Sequence, residues 1–239
     1  MKVLAADFVV DSIQTVVYTP DMTLAASRFI ASVMKYYGER YDGEIEAVPL
    51  PPNYPPDLPR VVLRSLDSVY RAEASLSRVN SIWQRPAKLI GGVDIAELAR
   101  ECSNVQAEYV KSSKMRVGRL ALIVNRVLLH DDPAKTLITR FCNPTTIIEP
   151  FNRSTAFEIH NHKQYSIFHS GTPLAVNSWV RCKTAKMVDD GRSAILVEQD
   201  INTLAEELDL HRFDPESMSH FFEMAASELN EILRKYFPA

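Results

Sequence analysis

The sequence predicts an α+β protein of two similar lobes, each an antiparallel sheet wrapped on a long helix, in a helix-grip-like pseudo-duplication. Three observations carry that expectation. Several segments alternate apolar and polar residues, the pattern of half-buried strands. Two stretches, Ile95 to Tyr109 and Met218 to Tyr236, keep a single apolar stripe at helical spacing. The order strand, helix, strands, helix occurs twice, which divides the chain into lobes over residues 1–110 and 111–239.

Residues 5–19 read as the first strand. Pro20-Asp21 then introduces a helix of about five turns, with Ala26, Ile30, Val33 and Tyr37 on one side. VPLPPNYPPDLPR follows, with six prolines between Pro49 and Pro59. Proline removes amide donors and biases its neighbours toward extended backbone, so this is a stiff surface connection. RVVLRSL (60–66) and VYRAEASLSRVNSIWQ (69–84) predict a hairpin turned at Asp67-Ser68. After Gly91-Gly92, Asp94 can cap the helix that carries Ile95, Leu98, Cys102, Val105 and Tyr109.

The second half repeats the plan. MRVGRLALIVNRVLL (115–129) is a long strand, and His130-Asp131-Asp132-Pro133 caps a short helix, with Pro133 at a tolerated first-turn position. Strands follow at 154–169, 174–188 and 193–201, and Thr203-Leu204-Ala205-Glu206 has capping-box spacing. Asp214-Pro215 opens the closing helix, roughly 33 Å long if it runs to Phe237.

Composition narrows the functional classes. Hydrophobic residues make up 46% and charged residues 24%, with a net charge of −3. There is no global basic field to recruit nucleic acid or anionic lipid, so nucleic acid is not the expected partner. No segment reaches the roughly 20 apolar residues that a bilayer span needs. Asp7 interrupts the apolar start MKVLAADFVV, which reads as a strand and not as a leader, so a cytoplasmic location is expected. Cys102, Cys142 and Cys182 are odd in number and far apart, which argues for buried free thiols.

FEIHNHKQYSIFH (157–169) holds three of the six histidines. Successive strand side chains point to opposite faces, so Glu158, His160, His162 and Gln164 share one side. Ile159, Tyr165 and Ile167 take the other, with Asn161 and Lys163 between them. The more apolar side packs on a helix, and the histidines face solvent or a groove. An H-x-H pair can supply two metal ligands, which makes His160 and His162 the candidate metal site. Glu158, His169 and Asp200 are the candidates for the third ligand, none at diagnostic spacing. A plain polar strand face is the preferred reading.

Elsewhere Trp179, Arg181 and Lys183 share a strand face, where an aromatic and two cations could meet a phosphate backbone or an acidic partner, or pair with Glu158. Lys111, Lys114, Arg116 and Arg119 form a second basic group. Arg126, beside Asn125, lies in a strongly apolar strand and needs a partner, for which Asp200 is the candidate. Glu198 and Asp200 share a face as a carboxylate pair. No G-x-S-x-G elbow, phosphate loop or kinase set is present, and no cofactor is expected.

VGRLALIVNRV, AILVEQDIN and SHFFEMAASELNEILRKYF resemble a sporadically distributed bacterial family. Its members carry an R-Y-I-N-R-I-like strand, a late strand ending in Asp, and a C-terminal helix opening on His and Phe. Asn125-Arg126, Asp200 and His220-Phe221 are the matching residues, and Ile123 stands where the family has an aromatic. The resemblance implies fold and bacterial origin and assigns no reaction. The resulting expectation is a non-catalytic protein-interaction or regulatory protein of a bacterial system, associated with defence or a mobile element. Its binding residues would be Asn125, Arg126, Trp179, Arg181, Lys183 and Asp200. A protein partner is expected, and edge-to-edge homodimers are one form of it. A metal-dependent hydrolase using His160 and His162 is the alternative, and a small-ligand sensor is another.

Overall fold

The computed structural model describes residues 2–51, 53–142, 150–169, 171–187 and 190–239. The fold is α+β: one large antiparallel sheet with four helices among the described residues. In chain order the elements are β1 (Val9–Tyr18), α1 (Ala26–Tyr37), β2 (Ile45–Ala47), β3 (Val61–Arg64), β4 (Tyr70–Ala74), β5 (Arg78–Gln84) and α2 (Ile95–Ser113). Then come β6 (Arg119–Leu129), α3 (Pro133–Phe141), β7 (Glu158–His169), β8 (Thr172–Lys186), β9 (Ser193–Thr203) and α4 (Pro215–Tyr236).

The strand order is β2-β3-β4-β5-β1-β6-β9-β8-β7. The halves therefore share one continuous sheet, joined where β1 pairs with β6 from Val9↔Val127 to Tyr18↔Arg119. Their apolar alternation gives both strands a helix-facing side: Ile13, Thr15 and Val17 on β1, and Leu120, Leu122 and Val124 on β6, all fully buried. Against them lie Cys102, Val105 and Tyr109 of α2 and Phe221, Phe222 and Leu229 of α4, each at most 2% exposed. Burying each large apolar side chain is worth about 1.5–3 kcal/mol, so this layer is the main source of stability. Gln106 reaches down from α2 and donates to the carbonyls of Thr15 (2.8 Å) and Val79 (2.9 Å). Gln199 of β9 donates upward to the Leu229 carbonyl (2.9 Å).

α2, α3 and α4 each start on a side-chain cap. Asp94 accepts from the Ala96 and Glu97 amides, Asp132 from Lys135, and Asp214 from Ser217. The first helix is shorter than expected, at 12 residues. Asp21 is held instead by Arg116, whose amide (2.9 Å) and Nε (2.5 Å) both donate to it, so the segment before Ala25 cannot wind. The expected hairpin of two strands is three strands. Ser75 Oγ accepts from the Ser77 and Arg78 amides and turns the chain between β4 and β5. The capping-box spacing after Thr203 yields a single turn of 3₁₀ helix, Ala205–Glu207. The end of the strand expected to reach residue 188 lies outside the described residues.

Candidate functional site

Every described helix packs on the same side of the sheet, and no described helix packs on the other side. On β7, β8, β9 and β6 that open face is built by strand parity. Cross-strand register places His162 opposite Trp179, His160 opposite Arg181 and Glu158 opposite Lys183. One strand further, Trp179 stands opposite Asp200 and Arg181 opposite Glu198, and Glu198 lies beside Asn125.

Trp179 is the centre of the group. The His162 imidazole stacks on its ring at 3.7 Å and 7°, and His160 lies at 4.9 Å. His162 Nε2 is 3.0 Å from Asn177 Oδ1. Asn177 and Arg119 both donate to Asn202 Oδ1, at 3.3 and 2.9 Å, and Arg119 covers the Tyr18 ring at 4.5 Å. Beside the aromatic cluster the charges are paired. Arg181 Nε is 2.7 Å from Glu158, while Arg181 Nη1 (3.2 Å) and Lys183 Nζ (2.8 Å) donate to Glu198. Burial raises the Glu198 pKa, but those two cations outweigh it and hold the carboxyl below its ordinary range. For Asp200 burial wins: its pKa is raised, although the Asn202 amide and the Arg119 charge oppose the shift.

Seven of the eight sequence-predicted site residues share this face: His160, His162, Trp179, Arg181, Lys183, Asp200 and Asn125, the last donating to Ser12 Oγ at 2.9 Å. Arg126 does not, and its expected partnership with Asp200 is wrong. Adjacent strand residues project to opposite sides, so Arg126 faces the helices and donates to Asn230 Oδ1 of α4 at 2.9 Å. Arg181 does pair with Glu158. In the second basic group Lys111 pairs with Glu108, and Arg116 with Asp21.

Among the described residues, no three His, Cys, Asp or Glu side chains are grouped to hold a metal. Burial pushes the Cys102 and Cys182 thiols up to about 12, far from a reactive thiolate. The open face thus carries one aromatic platform bordered by paired charges.

Two other places were not legible as sites. The first is an imidazole pair: His169 Nδ1 lies 3.1 Å from His220 Nδ1, joining the end of β7 to the start of α4. The sequence offers His169 only as a third ligand for the distant strand pair, and a separation of 51 positions carries no spacing rule that would join it to His220. The second is a recess of about 510 Å³ between β7, β8 and α4. There Tyr165 donates to Glu228 (3.1 Å) and Asn161 to the Tyr236 hydroxyl (2.7 Å).

No family model matches the chain, and no curated protein does. Among solved structures it is similar to the Methanococcus jannaschii TBP, at 11% identity and a TM-score of 0.25, over 95% of this chain and 98% of that one. It is also similar to the di-domain ARO/CYC StfQ from the steffimycin biosynthetic pathway, at 10% identity and a TM-score of 0.20, over 95% and 97% of the two chains.

Proposed function

We propose that this chain is a non-catalytic protein-interaction or regulatory protein, and that its partner docks on the helix-free face of β6, β7, β8 and β9. The observation that carries the reading is Trp179 with its two imidazoles, bordered by Arg181, Lys183, Glu158 and Glu198 in mutual ion pairs. Aromatic anchors dominate the energetics of protein contacts, and a rim of paired charges costs little to bring against another protein. A phosphate backbone would need free cations, whereas Arg181 and Lys183 are engaged by carboxylates. Affinity capture from cells that carry the gene tests this, using wild type and Trp179→Ala as baits. The expected result is a partner held by wild type and lost, or weakened about tenfold or more, with the variant. Equal capture by both would refute the assignment.

The same proposal includes a pseudo-duplicated chain. Support comes from β1 and β6 meeting at the centre, each flanked by the last strand of its own half, with α2 and α4 packed together as the closing helices. The likeness of the β6, β9 and α4 sequences to a bacterial family belongs here as well, and supports a bacterial origin; the cytoplasmic, defence- or mobile-element-associated setting is part of the same proposal.

One observation favours a second reading. The recess between β7, β8 and α4 is walled by Val180 and Ile232 and edged by the Tyr165–Glu228 and Asn161–Tyr236 pairs, which suits a small-ligand sensor. A melting-temperature rise abolished by Ile232→Trp would favour it over the docking face.

A further inference from the structure

The helix side of β6 holds one guanidinium among apolar side chains. Arg126 is 5% exposed and lies between Val124 and Leu128 on that face. Its Nη2 is used by Asn230, its Nε has no partner, and no carboxylate of the described residues pairs with it. Desolvation brings its pKa down to about 10, so the side chain stays charged at neutral pH. A buried cation without a counter-charge is costly, and an incoming anion would relieve that cost.

Arg126 also lines a recess of about 500 Å³ at the C-terminal end of α4. The walls are Leu4, Ala5, Leu233 and Phe237, and at the exposed end lie Ala239 and Arg234, whose guanidinium is paired with Glu231. The Ala5 amide donates to the Phe237 carbonyl at 2.8 Å and ties the N-terminal segment across the recess. The surroundings are thus mainly apolar, with the Arg126 charge at the base.

We propose that this recess binds a small amphiphilic monocarboxylate, its carboxylate on Arg126 and Asn230 and its apolar part against Leu4, Leu233 and Phe237. Arginine recognises a carboxylate through charge-assisted, geometrically matched hydrogen bonds, and Asn230 can add an amide donor. The volume falls in the range of roughly 300–1,000 Å³ usual for small-molecule sites. The site lies on the opposite side of the sheet from the proposed docking face and is independent of it.

Hexanoate is a suitable probe, with hexanamide as its uncharged counterpart and inorganic phosphate as an anion without a tail. Hexanoate is expected to raise the melting temperature in a dose-dependent way, and the two controls are not. Arg126→Met keeps the apolar volume and removes the charge, so it should fold with equal or greater stability and bind hexanoate at least about tenfold more weakly. Ala6→Phe, at an exposed position of the same wall, should obstruct the recess and weaken hexanoate by a similar factor without disturbing the core. The proposal is overturned by an equal shift with hexanamide or phosphate, by no shift with hexanoate, or by a hexanoate response retained in either variant.

Discussion

Asp200 and His169 titrate away from their ordinary values for the same leading reason, burial, and with opposite consequences for stability. Asp200 has a raised folded pKa, so the folded state holds its proton more tightly than the unfolded state. Stability from this group is present at low pH and is lost as pH rises through the folded value. Ionising the carboxylate therefore costs stability, and Asp200→Asn, which cannot ionise, should gain on wild type as pH rises to 7, by about 1 kcal/mol in urea unfolding. No gain at pH 7 would show that Asn202 and Arg119 already compensate it. His169 has a lowered folded pKa, through burial first and then the nearby His220, with His211 acting the same way and Asp214 opposing. Its contribution is full above the ordinary value of 6.5 and is lost as pH falls through the lower folded value. The melting temperature should therefore drop on acidification from pH 7.5 to 5.5, and less so in His169→Gln. Parallel pH profiles for the two proteins would contradict this.

At the scale of elements, the sheet depends on α4 more than on any local propensity. Leu229 is fully buried beneath the sheet, and its carbonyl also receives Gln199. Leu229→Ala should cost about 2–5 kcal/mol, measured by denaturant midpoint, whereas Glu223→Ala on the exposed side should cost about 0.5 kcal/mol or less. Comparable losses would mean that α4 is not seated as described. Such elements were readable because one physical signal fixed each. The α2 and α4 stripes announced their buried sides, Asp94, Asp132 and Asp214 their starts, and the alternation of 157–169 the side on which His160 and His162 stand. The misreadings have different causes. Asp21 stops the winding of α1 only because Arg116, remote in sequence, reaches it. Ser75 divides an apparently continuous strand locally, through its own hydroxyl. Arg126 and Asp200 stand on the neighbouring strands β6 and β9, yet their residue parity puts them on opposite sides of the sheet.

For the whole molecule, the central fact is an antiparallel sheet with its helices on one side. Trp179, His160, His162, Arg181, Lys183 and Asp200 come from three strands, and their joint location was legible only as pairs until the order β6-β9-β8-β7 assembled them. Among the described residues β7 pairs on one side only, with β8, and an unpaired edge of 12 residues is a template for a second copy. Light scattering over a range of concentrations should accordingly show a monomer–dimer equilibrium, and a monomer throughout would reject edge pairing. The docking face is tested most directly by placing a photo-crosslinking residue at His162, on the open side, or at Glu223, on the outer side of α4. The account predicts that the partner is trapped from position 162 and not from position 223. Trapping from 223 alone, or from neither, would contradict it.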